Sequence, residues 1–311
     1  MKDNDILNRV SIDNLRHDLF RFCRDPFSFR TVKYTVPWHT KNSLDELDEY
    51  LAGEMKRYAE VNMIPYKLKP FRCDSTKPLH HWYSAPLPED PSYDGHCIEV
   101  VIPGKKYPEE IIQLVSHKDS MSWINSPGAH DNAVGLVANM ELVRVISQLG
   151  MDRTVRVLFC NEEHSPWYSR DYAEAAAKRG DHILAVMNQD SICGKSDEAA
   201  AAGIRTNVAS YSMPEGKPLA EFTVAENAKY DLGLTATIAF KQHVNDDDGS
   251  FIKAGYNRTI MNHGSHPYAD PQYHLPGDVP ERVDLINLQQ VTRLILACVS
   301  DISENGEDVF R

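Results

Sequence analysis

Residues 155–170 read VRVLFCNEEHSPWYSR, an apolar run that ends in two adjacent glutamates. The β-branched and aromatic composition of residues 155–160 predicts a buried strand. Glu162 and Glu163 follow it, and adjacent carboxylates at the rim of a hydrophobic sheet repel each other and are poorly solvated. Such a pair is most often a solvated turn, so the rest of the sequence has to decide whether these glutamates perform chemistry.

The composition is that of a globular enzyme. Of the 311 residues, 42% are hydrophobic and 25% are charged. The formal net charge of −12 argues against nucleic acid or an anionic membrane as a partner, because both attract basic surfaces. We find no apolar signal segment and no stretch near the roughly 18 apolar residues of a membrane span. The six cysteines form no CxxC pair, which is typical of reduced thiols and predicts a cytoplasmic location.

Segments with the periods of strands and helices alternate along most of the chain. This alternation predicts an α/β fold with a mixed, mostly parallel central sheet and helices on both faces. We predict a single domain over residues 1–311, with residues 1–95 as N-terminal helices and loop decoration, and 69–95 as a long loop. The predicted strands are 97–103, 111–117, 154–160, 183–189, 205–212, 234–240 and 258–262. The predicted helices are 11–24, 44–58, 132–149, 169–179, 217–230, 247–254 and 284–302.

Histidine and carboxylate side chains occur where the predicted strands end. Because ligands of open α/β sheets bind at the carboxyl ends of the strands, we expect these side chains to converge. Each has a structural explanation when taken alone, such as a helix N-cap for an aspartate. Together they would repel each other unless cations bind among them. The candidates are His117, Asp131, Glu163, Asp190 and His274.

The number and type of these side chains favour two metal ions. Imidazole and carboxylate ligands together suit zinc, with manganese or cobalt as alternatives. Five ligands are too many for one tetrahedral zinc that keeps an open position, but they suit two zinc ions bridged by one carboxylate. The metals would then share a water or hydroxide, as in a co-catalytic hydrolase. Glu163 would bind metal, and Glu162 would be free to act as the general base.

The order of the motifs resembles the zinc-dependent aminopeptidase family. That family of co-catalytic exopeptidases also contains the glutaminyl cyclases, the glutamate carboxypeptidases and the non-enzymatic transferrin receptors. The resemblance extends upstream to FSFRTV at 27–32 and covers most of the chain. Its motifs are HKD at 117–119, GAHDN at 128–132, EE at 162–163, Asp190, and YHLPGD at 273–278.

The resemblance implies how the five ligands divide between two metals. Asp131 would bridge the two ions. His117 and Asp190 would complete one site, and Glu163 and His274 would complete the other.

The resemblance also implies three catalytic residues. Glu162 would take a proton from the shared water and deliver it to the leaving amine. Asp119, two residues after a histidine ligand, would orient neighbouring groups by hydrogen bonding. Tyr273 would polarise the scissile carbonyl or stabilise the oxyanion.

Three positions depart from the family pattern. His130 stands where an acidic residue often precedes the bridging aspartate, either as a spectator or close enough to perturb the site. Trp167 and Tyr168 replace part of a glycine-rich run, either as a packed aromatic pair or as a wall of the substrate pocket. Residues 245–251, NDDDGSF, are interpreted as a capped loop without a metal ligand.

These features predict a di-zinc aminopeptidase acting on peptides with a free N-terminus, in an oligomeric state that the sequence leaves open.

Dipeptidases and deacylases with similar motifs usually insert a lid domain between the fourth and fifth ligands. Predicted strands and helices use most of the 83 residues between Asp190 and His274, so we expect no lid. A glutaminyl-cyclase-like zinc acyltransferase needs one zinc and has less use for both His117 and Asp190. A non-catalytic relative would not need the full ligand set.

Overall fold

The computed structural model describes residues 3–311 and contains a large mixed sheet. Its strands are β1 (Glu60–Pro70), β2 (Arg72–Cys73), β3 (Tyr83–Ser84), β4 (Tyr93–Ile102), β5 (Tyr107–His117), β6 (Arg153–Cys160), β7 (His164–Ser165), β8 (His182–Gln189), β9 (Thr206–Tyr211), β10 (Thr235–Phe240) and β11 (Thr259–His263). Nine of these strands form the sheet in the order β10-β9-β11-β8-β5-β6-β4-β1-β7, while β2 and β3 pair with each other.

Helices cover the sheet. They are α1 (Asp3–Leu7), α2 (Ile12–Phe22), α3 (Ser43–Met55), α4 (Val134–Ile146), α5 (Tyr168–Arg179), α6 (Asp197–Ala201), α7 (Gly216–Lys229), α8 (Asp246–Lys253) and α9 (Leu285–Asn305). Within residues 3–311, no helix combines the length and the apolar composition that crossing a membrane requires.

Strand β6 shows how the sequence produces two packed faces. Successive side chains of a strand point to opposite faces of a sheet. Val157 and Phe159 belong to the larger core, which includes residues of α4 and α9. Leu158 and Cys160 belong to a smaller core that includes residues of α5 and α8. The prediction of a mixed sheet with helices on both faces is confirmed.

Parallel pairing in the centre of the sheet brings the strand ends together. Strand β5 pairs in parallel with both β6 and β8, and β11 pairs in parallel with β8. The carboxyl ends of these four strands therefore lie along one edge. The segments between residues 190 and 274 include β9, β10 and β11, which all belong to the same sheet.

Strand β1 is absent from the sequence prediction, which assigned no strand before residue 97 and a loop to 69–95. Pro65 interrupts the apolar pattern and argues against a strand. It is tolerated because β1 lies near the sheet edge, pairing with β4 along most of its length but with β7 only at Lys69 and Pro70. The rest of the presumed loop contains the β2–β3 hairpin and a 3₁₀ turn at Leu79–His81.

Arg30, in the motif FSFRTV, joins the segments that carry the strand ends. The side chain is fully buried. Its Nε donates to the carbonyl of Lys118 at 2.8 Å, and Nη1 donates to the carbonyls of Phe22 and Pro127 at 2.7 and 2.6 Å. Nη2 donates to the carbonyl of Gly128 at 2.8 Å. Four backbone carbonyl groups thus accept hydrogen bonds from one guanidinium.

Arg30→Met should lower the free energy of unfolding by at least about 3 kcal/mol, because it removes four hydrogen bonds from a charged group to carbonyls in the interior. Urea denaturation measures the loss. The matched control is Arg57→Met, since Arg57 is 63% exposed and pairs only at the surface with Glu54. The control should change stability by about 0.5 kcal/mol or less. Equal losses in the two variants would contradict the role given to Arg30.

Candidate metal centre

The structure brings the five predicted metal ligands together at the carboxyl edge of the parallel strands, and all five are buried. Nε2 of His117 lies 3.0 Å from Oδ1 of Asp131 and 3.5 Å from Oδ1 of Asp190. Nε2 of His274 lies 3.1 Å from Oδ2 of Asp131 and 3.5 Å from Oε1 of Glu163. The two oxygens of the central aspartate therefore face different neighbours.

These distances can be tested against zinc coordination. Two atoms bound to one tetrahedral zinc at about 2.0–2.2 Å are separated by roughly 3.3–3.6 Å. The separations of His117 from Asp131 and Asp190 are 3.0 and 3.5 Å. Those of His274 from Asp131 and Glu163 are 3.1 and 3.5 Å, which is also close to that range. Two imidazoles and three carboxylates at this spacing fit zinc.

The site carries more negative charge than its own side chains balance. Burial disfavours a charged imidazole, but the carboxylates of Glu163 and Asp131 outweigh it and raise the pKa of His274 to about 10. Burial raises the pKa of Glu163 to about 7. Burial, followed by the negative charge of Asp246, raises the pKa of Glu162 well above its usual value. A bound cation would relieve the same repulsion.

Asp119 holds both the first histidine and the glutamate pair. Its Oδ1 lies 3.2 Å from Nδ1 of His117 and accepts the backbone N–H of Glu162 at 3.0 Å. Its Oδ2 accepts the backbone N–H of Glu163 at 2.9 Å and lies 2.7 Å from Nδ1 of His164. Burial opposes ionisation, but hydrogen bonds from the two histidines outweigh it and lower the pKa of Asp119. With Nδ1 engaged, Nε2 of His117 is the nitrogen that faces the other ligands.

Glu162 and Tyr273 line a cavity of about 190 Å³ beside the ligand cluster. One carboxylate oxygen of Glu162 accepts the backbone N–H of Asp247 at 3.2 Å. The ring of Tyr273 stacks on that of His274 with centroids 3.8 Å apart. Glu162 also lies near His117 and Asp190, with one ligand atom of each within 4.8 Å of the others. The remaining wall residues include Ser191, Lys241, Asp246, Met261, His263, His266 and Tyr268.

Asp278 received no role from the sequence, although it is the last residue of the motif YHLPGD. Its carboxylate accepts the backbone N–H groups of His130 and Asp131 at 2.8 and 3.0 Å. These bonds fix the backbone of the central aspartate in the turn Ala129–Ala133 that precedes α4. The sequence signal that could have identified Asp278 was its position four residues after His274 in the motif YHLPGD.

His130 belongs to a neighbouring ion-pair cluster. Its Nδ1 lies 2.8 Å from Asp270 and 3.3 Å from Asp278. Burial opposes protonation, but hydrogen bonds to these two carboxylates raise the pKa of His130 to about 9. Arg282 lies 3.3 Å from Asp270. The side chains of His130, Asp270 and Asp278 are spaced closely enough to hold a metal ion. However, the imidazolium of His130 and the guanidinium of Arg282 already balance the two carboxylates.

Trp167 and Tyr168, the aromatic residues that follow the glutamates, each contact a neighbouring residue. Trp167 donates its Nε1–H to the carbonyl of Glu162 at 2.6 Å, and Tyr168 stacks on Tyr66 with ring centroids 4.6 Å apart. Neither Trp167 nor Tyr168 is among the described residues that line the cavity at the ligand cluster. Each of the two residues thus has a partner of its own, Glu162 for Trp167 and Tyr66 for Tyr168. The acidic run forms α8, and Asp246 pairs with Lys241 at 2.9 Å on the cavity wall.

A larger cavity of about 570 Å³ lies between α5 and strands β1, β4 and β6. Its charged side chains are already paired, because both Arg156 and Arg179 lie 2.7 Å from Asp181. The hydroxyl of Tyr172 donates to Glu99 at 2.5 Å. The cluster of histidines and carboxylates lies at the smaller cavity, so the candidate chemistry belongs there.

Comparisons with known proteins agree with this architecture. Residues 98–299 match the sequence pattern of the family described as Peptidase family M28. The protein named probable aminopeptidase YDR415C from Saccharomyces cerevisiae is 26% identical over 224 residues, which are 67% of this chain and 57% of that protein. The chain thus spans little more than half of that relative's length.

Two solved structures are similar in fold over nearly the whole length of both chains. The aminopeptidase from Aneurinibacillus sp. strain AM-1 gives a TM-score of 0.71 at 14% identity, covering 97% of this chain and 96% of that one. The glutaminyl cyclase from Bacteroides thetaiotaomicron gives 0.70 at 15% identity, covering 94% and 98%. At these identities the likeness shows the fold alone, whereas the sequence match covers more than half of the chain. This protein therefore belongs to peptidase family M28.

Proposed function

We propose that this protein is a di-zinc aminopeptidase that removes N-terminal residues from peptides. The observation that carries the proposal is the position of Asp131, whose Oδ1 lies 3.0 Å from His117 and whose Oδ2 lies 3.1 Å from His274. With Asp190 beside the first histidine and Glu163 beside the second, these side chains would hold two zinc ions, or manganese or cobalt in their place. Membership of peptidase family M28 and the name of the yeast relative support peptide hydrolysis.

The side chains around the cavity supply proton transfer and orientation. Bound zinc ions would polarise the scissile carbonyl and lower the pKa of a water molecule. Glu162 accepts a proton from that water at its carboxylate and passes it to the leaving amine. The hydroxyl of Tyr273 donates a hydrogen bond to the carbonyl oxygen as negative charge develops on it. Asp119 keeps the histidine ligand and the glutamate backbone in one arrangement throughout.

The acidic cavity wall favours a substrate with a free α-amine. The carboxylates of Asp246, Glu162 and Glu163 on the cavity wall outnumber its one lysine, Lys241, so the net charge of the wall attracts an ammonium group. Acetylation removes that charge, and a lost charge-assisted hydrogen bond corresponds to about a 10–100-fold loss of affinity. We therefore expect kcat/KM for an N-acetylated tripeptide to be lower than for the free tripeptide by at least about that factor.

The experiment compares leucyl-glycyl-glycine with its N-acetyl form and identifies the products by mass spectrometry. Release of free leucine from the unblocked peptide supports the aminopeptidase. A preparation of Glu162→Gln, made in the same way, measures any contaminating peptidase. Equal cleavage of both peptides would move the assignment to a deacylase or an endopeptidase.

The glutaminyl-cyclase-like alternative is not favoured by the arrangement of the ligands. An acyltransferase of that kind needs one zinc, whereas His117 lies 3.5 Å from Asp190 and 3.0 Å from Asp131, and these side chains would complete a second set. A peptide with N-terminal glutamine separates the two reactions. Hydrolysis releases glutamine, and cyclisation releases ammonia from an otherwise intact peptide.

The state of the cysteines supports the proposed cytoplasmic location. In the part of the chain that the structure describes, all six are free thiols, and only Cys73 is exposed. Cysteines that pack as small apolar side chains without forming disulfides are typical of proteins in reducing compartments.

A further inference from the structure

Residues 79–84, between β2 and the end of β3, reach the candidate metal centre from the far end of the chain. Nδ1 of His274 lies 2.6 Å from the backbone carbonyl oxygen of His80. A carbonyl oxygen only accepts hydrogen bonds, so Nδ1 of His274 carries the proton. In the neutral ring, Nε2 then presents its lone pair towards Asp131 and Glu163.

The side chain of His80 returns a second hydrogen bond to the same loop. Its Nδ1 lies 2.7 Å from the backbone carbonyl oxygen of Tyr273 and donates to it for the same reason. The segments that contain His80 and His274 are therefore joined by two hydrogen bonds. In each bond an imidazole of one segment donates to a backbone carbonyl of the other. The two segments are separated by 193 residues along the chain. A local sequence effect does not account for this contact.

Aromatic rings enclose the imidazole of His274. Trp123 and Tyr83 contact it edge-on, with ring centroids 5.1 and 5.9 Å away. Trp123 and Tyr83 are themselves only 4.4 Å apart, and Tyr83 lies three residues after His80. With Tyr273 stacked on the remaining face, the plane of the imidazole is fixed as well as its tautomer.

The backbone of His274 requires such support. Its φ is +58°, in the left-handed region that residues other than glycine rarely adopt. This conformation is unfavourable for a residue with a side chain, so neighbouring contacts must stabilise it. The bond from His80 to the preceding carbonyl acts on the peptide unit that enters this residue.

We propose that His80 is a positioning residue that fixes the tautomer and orientation of His274 and thereby increases metal affinity at the site shared with Glu163. The inference rests on the proposed function only in taking His274 as a metal ligand. It gives the 69–95 segment a role in building the metal centre, which the motif pattern did not assign to it.

His80→Ala tests this role, because it removes the imidazole and keeps the backbone carbonyl. The affinity for the zinc held by His274 and Glu163 should fall about 10–100-fold, the usual effect of losing a group that orients a metal ligand. Zinc titration against a chromophoric chelator measures it without relying on activity. His80→Asn should recover most of the affinity, because the asparagine Nδ2 can donate from nearly the position of the imidazole Nδ1. Leu79→Ala is the matched control, since Leu79 is 46% exposed on the same turn.

Wild-type affinity in a folded His80→Ala variant would overturn the inference. If thermal melts show that this variant does not fold, His80→Asn and His80→Gln decide, because the longer glutamine does not place its amide at the Nδ1 position. Weaker binding in the glutamine variant alone supports the role of His80, and equal binding in both overturns it. A wild-type protein that takes up one zinc contradicts the di-zinc proposal instead, and the same variants then test His80 on that one ion.

Discussion

Glu162→Gln should lower kcat by about 10²–10⁴-fold, the range that general-base catalysis typically contributes, while zinc remains bound. Glutamine keeps the size of the side chain, and its amide oxygen can still accept the N–H of Asp247, which lies 3.2 Å from the carboxylate in the structure. The amide cannot take up the proton. Steady-state kinetics on a leucyl chromogenic substrate, with elemental analysis of the same preparation, measure both quantities.

Glu163→Gln is the matched comparison. It replaces an anionic oxygen 3.5 Å from Nε2 of His274 with a neutral one, so metal affinity should weaken first. Activity should then partly return when excess zinc is added. Thermal melts are needed for both variants, because Glu163 is buried and Glu162 is partly buried. If Glu162→Gln keeps near-wild-type turnover, or loses metal as readily as Glu163→Gln, the roles are reversed or the pair is a solvated turn.

The structure explains how two adjacent glutamates can differ in role. Asp119 accepts both backbone N–H groups, at 3.0 and 2.9 Å, so the peptide between the glutamates is fixed. The Glu163 side chain then lies towards His274, while that of Glu162 lies towards the N-terminus of α8, where it meets Asp247. The carboxylate of Glu162 also lies near His117 and Asp190, which would place a base beside the proposed ligands.

Local pattern was sufficient to predict most of the sheet, because alternating side chains such as Leu158 and Phe159 must each find a core. It was insufficient for β1, where Pro65 is an accurate local signal against a strand. Only the position of β1 near the sheet edge makes that proline acceptable, and this position is a property of the whole fold.

The candidate site divides in the same way. His117, Asp131 and Asp190 were recognisable because each lies near a strand end or a helix start in the linear sequence. Asp278 had a weak signal in its spacing from a histidine. His80 had no local signal, because its two bonds join it to residues more than 190 positions away. One of these bonds is made by its backbone carbonyl, which any residue supplies, and the other by an imidazole that stands in no recognised motif.

Removal of metal with a chelator should abolish activity and lower the unfolding temperature. Ligands that bind only the folded state stabilise it by about 4 kcal/mol at a thousand times the dissociation constant. Stripping would also leave the carboxylates of Asp131, Glu163 and Asp190 buried together with only the imidazoles of the site to balance their charge. Titrating zinc back should restore activity and thermal stability together, with a plateau at two equivalents.

Asp131→Asn provides the decisive comparison for that titration. Because each oxygen of Asp131 faces a different histidine, at 3.0 and 3.1 Å, a carboxamide would offer one metal a neutral oxygen in place of an anionic one and the other an amide nitrogen that does not bind it. We therefore expect this variant to weaken binding of both zinc ions, whereas Glu163→Gln should weaken one. Both measurements use metal content, so they stay informative when activity is lost. A wild-type plateau at one equivalent with full activity, or loss of a single ion in Asp131→Asn, would contradict the bridged arrangement and favour the one-zinc chemistry of a cyclase.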